Sequence, residues 1–123
     1  MIGGHGSVLQ YRRSRRPNDA SEWTDIVEFG SGTYPVLVCG PDDSLYLTVR
    51  SSHQWEGLQL YIKPPEANWQ DHGLLVRKGE KYQWYAAFHN GLAWGPDHQT
   101  LHMSTGFFEG RRPLESEYQR WAT

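Results

Sequence analysis

Tyr34-Pro-Val-Leu-Val-Cys39, Gly40-Pro-Asp-Asp43 and Ser44-Leu-Tyr-Leu-Thr-Val-Arg50 follow one another without a break and carry the pattern of a β-hairpin. The two outer pieces are rich in β-branched and aromatic residues, which suit a pleated, half-buried strand. Gly, Pro and Asp between them are turn residues, because glycine and aspartate tolerate left-handed backbone and proline presets φ at the first turn position. The stretch predicts two strands, 34–39 and 44–50, paired as a hairpin. Working outward, the same short, alternating character recurs at 7–13, 25–29, 57–63, 73–77, 82–88 and 100–104. No stretch sustains a helical period, and the seven scattered prolines oppose helix continuation. The expectation is an all-β protein.

With 123 residues the chain has room for one core. Its formal net charge of −2 gives no global attraction to nucleic acid or an anionic membrane, so neither is expected as a partner and any anion recognition is local. Cys39 is the only cysteine, which excludes an internal disulfide framework and a multi-cysteine zinc site. No apolar run reaches the length of a membrane span, and Met1-Ile-Gly-Gly-His5 lacks the basic start and apolar centre of a secretory signal. The targeting segment of a secreted parent is expected outside these residues.

Comparing the sequence with itself shows a blade-sized period of the kind propellers carry. Leu9-Gln-Tyr11 leads to Pro17-Asn-Asp19 and Trp23; Leu58-Gln-Leu-Tyr61 leads to Pro64-Pro-Glu66 and Trp69, with the two tryptophans 46 positions apart. Independently, Gly40-Pro-Asp42 precedes Leu45-Tyr-Leu-Thr48 as Gly95-Pro-Asp97 precedes Leu101-His-Met-Ser104, a step of 55. The extra length falls in 89–94, read as a loop where insertion is cheap. A propeller closes with about four to eight four-stranded blades. The chain is expected to hold roughly two and a half antiparallel blades, with boundaries near 30 and 79, as a fragment of a larger ring of about seven. The remaining blades of a parent chain, or further copies of this one, would complete it.

Tyr11-Arg-Arg-Ser14, Pro17-Asn-Asp19 and Trp23 resemble the degenerate Asp-box turn of the bacterial neuraminidase repeat (BNR) propellers. The wider order of His5, Leu9, Tyr11, Ser14, Pro17, Asp19, Trp23, Thr33-Tyr-Pro35, Asp42, Leu45-Tyr-Leu47 and Arg50 is similar to one branch of that superfamily, which includes ulvan-type polysaccharide lyases and related α-L-rhamnosidases. The sequence departs from the pattern at Lys63-Pro-Pro-Glu66, where serine and aspartate are usual, and at Asp43-Ser44, where glycine is usual. The resemblance implies a carbohydrate-active propeller, a lyase or a glycoside hydrolase, acting on an acidic polysaccharide or oligosaccharide without a cofactor. Its parent is then expected to be secreted or periplasmic. A non-catalytic glycan-binding or scaffolding propeller, or an inactive truncated chain, is the alternative, since fold does not fix function.

On this resemblance Tyr34, Arg50 and His5 are the candidate catalytic residues. A guanidinium that neutralises a uronate carboxylate eases removal of the adjacent proton, and an imidazole and a phenol are the groups to move protons on either side of the sugar. His53, Trp55 and Glu56 occupy the loop corresponding to that around His5, which makes them candidate substrate-binding residues, against the alternative of a solvated loop.

His98 and His102 invite a metal reading, but four strand residues span about 13 Å, too far to chelate one ion, and no metal is expected. Trp55, Trp84 and Trp94 could stack on sugars, although packing is the commoner use of tryptophan. Arg12-Arg-Ser-Arg-Arg16 is the one basic cluster and reads as a solvated turn. Residues 107–112 read as an exposed loop able to close over a ligand. No P-loop, nucleophile elbow or dinucleotide fingerprint occurs.

Overall fold

The computed structural model describes residues 2–3, 5–51, 57–77, 89–110 and 118–122, with side chains over 8–51, 57–77 and 91–105. Every regular element among them is a strand: β1 (Ile2–Gly3), β2 (His5–Tyr11), β3 (Ser14–Arg16), β4 (Asp19–Trp23), β5 (Val27–Cys39), β6 (Leu45–Arg50), β7 (Gly57–Lys63), β8 (Gln70–Arg77), β9 (His89–Trp94), β10 (Leu101–Gly110) and β11 (Tyr118–Ala122). The protein is all-β, and its sheets are antiparallel. One sheet has six strands in the order β1-β2-β5-β6-β7-β8, a second has three in the order β11-β10-β9, and β3–β4 is a hairpin inserted between β2 and β5.

The expected strand 57–63 coincides with β7, whereas 27–29 of the expected strand 25–29 and all of 34–39 are parts of the single strand β5, with 25 and 26 ahead of it. Position 30 therefore lies inside a strand, and position 79 lies outside the described residues, as does the expected strand 82–88. Four strands depart from expectation for identifiable reasons. The 89–94 segment forms β9 despite its Asn, Gly and lack of β-branched residues, because β10 pairs along its whole length. Residues 107–110, read as a loop, continue β10 and pair with β11, while 111 and 112 lie outside the described residues. Strands β3 and β4 are polar and largely exposed, so no apolar alternation announced them.

Register places the core. Leu37, Leu47 and Tyr61 lie side by side across β5, β6 and β7, and Leu9 opposes Phe29 between β2 and β5. Leu9, Leu47, Val49 and Tyr61 are buried together, with Phe29, Leu37 and Trp69 packed against them. Phe29 stacks on Trp69 at 4.5 Å, and Tyr11 and Tyr61 meet this pair edge-on at 5.5 and 5.7 Å respectively. These are the offset and T-shaped geometries that ring quadrupoles favour. Gly30 makes the approach possible: it bends β5 at φ 45°, and a Cβ there would stand 2.6 Å from the Tyr61 ring.

The turn chemistry repeats more faithfully than the sequence does. Asp19 accepts from the Ser21 amide (2.8 Å) and hydroxyl (2.6 Å), and Asp42 does the same with Ser44 (3.1 and 2.8 Å). Asp97 accepts from the Gln99 and Thr100 amides (3.0 and 3.2 Å) and the Thr100 hydroxyl (3.1 Å). Asn18, Asp43, Glu66 and His98 each supply a left-handed turn residue, at φ 56°, 62°, 56° and 51°. The Gly40 and Gly95 turns also close alike, through Asp43 N donating to Gly40 O (3.1 Å) and His98 N to Gly95 O (3.0 Å). Trp94 joins the two copies: its Nε1 donates to Cys39 O at 2.6 Å and its ring meets Tyr46 edge-on at 5.4 Å. Trp94 thus packs rather than lying open to a sugar.

Candidate functional site

The site grows from a proline inside a strand. Pro35 has no N–H to give to a ladder, so a strand carrying it in its interior must bulge. In the β5–β6 pairing Thr33 opposes Arg50 and Val36 opposes Thr48, which spends three steps of β5 on two of β6. The extra residue falls at Tyr34-Pro35, and Tyr34 takes it up with a left-handed backbone, φ 55°. Bulky residues adopt that conformation only where surroundings hold them in it, at a cost of about 1–3 kcal/mol.

What holds it is Arg50. Its guanidinium carbon lies 4.7 Å from the centre of the Tyr34 ring, and its Nε donates to Thr33 Oγ1 at 2.8 Å. Arg50 is 1% exposed, the largest fully buried side chain among the described residues, and Leu58, also buried, stands opposite it on β7. Strand alternation puts Leu47 and Val49 toward the aromatic core and Thr48 and Arg50 on the reverse face, so β6 is buried on both sides. Tyr34 is 37% exposed, making it the part of the pair that meets solvent. A cation over a partly desolvated ring contributes about 1–2 kcal/mol, comparable with the backbone strain it offsets.

The two residues singled out from sequence 16 positions apart are therefore in contact. The backbone of His5 stands opposite Thr33, at the same level of the sheet as Arg50. His53, Trp55 and Glu56 lie outside the described residues. Thr33 was legible only as part of a Thr-Tyr-Pro run; its hydroxyl, buried and bonded to Arg50, is a site feature that spacing alone does not reveal. Three carboxylates elsewhere serve turns: the Ser21 hydroxyl and amide hold Asp19 below the ordinary carboxylate range, the Ser44 hydroxyl and amide do so for Asp42, and the Gln99 and Thr100 amides for Asp97. Burial pushes the Tyr61 phenol up, partly countered by the Ser31 amide that donates to its oxygen.

Fold and site together define an all-β protein of antiparallel sheets in which a proline bulge seats a half-exposed tyrosine over a buried arginine. No protein-family model, curated protein or solved structure matches the chain.

Proposed function

We propose that the chain is part of a BNR-type β-propeller that acts on an acidic polysaccharide, with Tyr34, Arg50 and His5 at its reacting end. The observation that carries this reading is the contact between Tyr34 and Arg50, built at a backbone position that costs free energy to maintain. In a uronate polymer, β-elimination removes the proton beside the carboxylate, forms a carbon–carbon double bond and breaks the bond to the leaving oxygen, which takes up a proton. Positive charge close to the carboxylate stabilises the anion that develops. In this reading the partly exposed Tyr34 serves one proton transfer, His5 is the partner for the other, and Arg50 supplies the charge from beneath the ring. No cofactor enters this scheme.

Glycan binding without turnover is the second reading, and the burial of Arg50 favours it. A guanidinium already engaged by Thr33 and covered by Tyr34 serves geometry before it serves a ligand. Incubating the chain with polyuronates and following the ultraviolet absorbance of an unsaturated uronate separates the two. Turnover that falls about 100-fold or more in Tyr34→Phe, with the circular dichroism unchanged, is the result expected for elimination. Equal turnover in Tyr34→Phe contradicts the role of the phenol, and binding with no product from any polymer selects the second reading.

A further inference from the structure

The opposite end of the six-stranded sheet carries a feature that the proposed chemistry does not use. An open cleft of about 480 Å³ lies between the chain around the β3–β4 hairpin and the β7–β8 turn, a size within the roughly 300–1,000 Å³ of small-ligand sites. Arg13, Arg15 and Lys63 line it. Two carboxylates, Asp25 and Glu66, and the Asn68 amide stand among them, with the Tyr11 ring alongside.

The walls of the cleft are fixed through the main chain and through Arg15. The Arg13 main chain is pinned to Thr24 by a pair of bonds: its amide donates to Thr24 Oγ1 (3.1 Å), and the Thr24 amide donates back to Arg13 O (2.9 Å). Arg15 Nε donates to Trp23 O (3.2 Å), which fixes the guanidinium and leaves its Nη groups for other acceptors. The opposite wall is a closed turn in which Ala67 N donates to Pro64 O (3.2 Å), and Tyr11 is braced edge-on by Trp69. Among the described residues, Arg13, Arg15 and Lys63 form no ion pair, so their charge is available to a ligand.

We infer that this cleft is a second, non-catalytic binding site for an anionic oligosaccharide, with Arg13, Arg15 and Lys63 as the groups that take its carboxylates. The mixture of charges selects the ligand class. A sugar acid needs cationic donors for its carboxylate and also acceptors for its hydroxyl protons, which Asp25, Glu66 and the Asn68 carbonyl supply. A phosphodiester polymer gains from the cations but brings few hydroxyl protons for Asp25 and Glu66 to accept, and it finds one aromatic face rather than a stacking platform. Leu58, opposite Arg50, and Lys63 are five residues apart on β7, so the two ends of the sheet are about 17 Å apart. Five steps is an odd number, so Lys63 and Leu58 face opposite sides of β7, and the cleft is a site separate from Tyr34 and Arg50. The inference stands on the cleft itself and does not depend on turnover at Tyr34.

Calorimetric titration of the full chain with a galacturonate oligosaccharide, its neutral galactose counterpart and inorganic phosphate is the test. The expected result is that the acidic sugar binds at least about tenfold more tightly than the neutral one, and that Arg13→Ala with Lys63→Ala weakens it at least about tenfold. If that variant changes the circular dichroism, Arg13→Gln with Lys63→Gln, which keeps side-chain bulk, is expected to show the same loss. Unchanged affinity in the folded glutamine variant overturns the inference. So does phosphate, or a single-stranded oligonucleotide, displacing the sugar at equal charge concentration. Because the readout is binding, it is separate from any loss of product formation, which bears on the elimination chemistry alone.

Discussion

The two ends of the six-stranded sheet use arginine in opposite ways. At the bulge end a single guanidinium is 1% exposed, bonded to Thr33 and covered by Tyr34; at the far end Arg13 and Arg15 are exposed and line an open cleft with Lys63. Burying a cation costs free energy unless hydrogen bonds and neighbouring π-density replace its water, so the first end makes Arg50 a fixed part of the fold. Exposed cations retain their water, contribute little to stability, and can exchange that water for an anion. Side chains of one type thus serve to shape one end and to capture ligand at the other.

Arg50→Ala removes the largest buried side chain and leaves the Thr33 hydroxyl without its donor; urea unfolding is expected to show a loss of about 2–4 kcal/mol. Arg50→Met, which fills much of the same volume without charge, is expected to recover most of it. If Arg50→Ala costs no more than Arg13→Ala, the buried role is wrong. Gly30→Ala places a Cβ 2.6 Å from the Tyr61 ring at φ 45°, and a loss of about 1–3 kcal/mol in the same measurement is the expectation.

Acid is expected to weaken the turns rather than either end. The folded-state acidities of Asp19, Asp42 and Asp97 are held below their ordinary range by hydroxyl and amide donors. Their contribution is therefore complete above the unfolded value of about 3.9 and is lost as pH falls through the lower folded values. Thermal midpoints that fall below pH 4 in the wild type, and fall less in Asp42→Asn, would agree with this; an unchanged profile in Asp42→Asn would not. The smallest effect belongs to the cleft, where Arg13→Ala is expected to change stability by less than about 0.5 kcal/mol.

Much of the fold is legible in the sequence where apolar alternation is strong. The segment 57–63 alternates clearly and is β7, and the hairpin of β5 and β6 around Gly40-Pro-Asp42 follows from its turn residues. Strands β3, β4 and β9 are held by turn chemistry and by a neighbour's pairing, neither of which leaves an apolar period in the chain. Tyr34 and Arg50 stand out in the sequence only through a resemblance, and register explains their contact: the bulge that Pro35 requires turns Tyr34 over the residue opposite Thr33. The cleft was not legible because Arg13 and Lys63 are 50 positions apart, and a basic cluster in isolation reads as a solvated turn.

Hydrogen exchange at the arginine Nε positions, followed by nitrogen-15 NMR on the full chain, measures the contrast between the two ends most directly. The Arg50 Nε proton, buried and bonded to Thr33, is expected to exchange on the order of 100-fold more slowly than that of Arg13. Equal exchange rates at Arg50 and Arg13 would show that the bulge does not enclose the guanidinium and would contradict the account of the site.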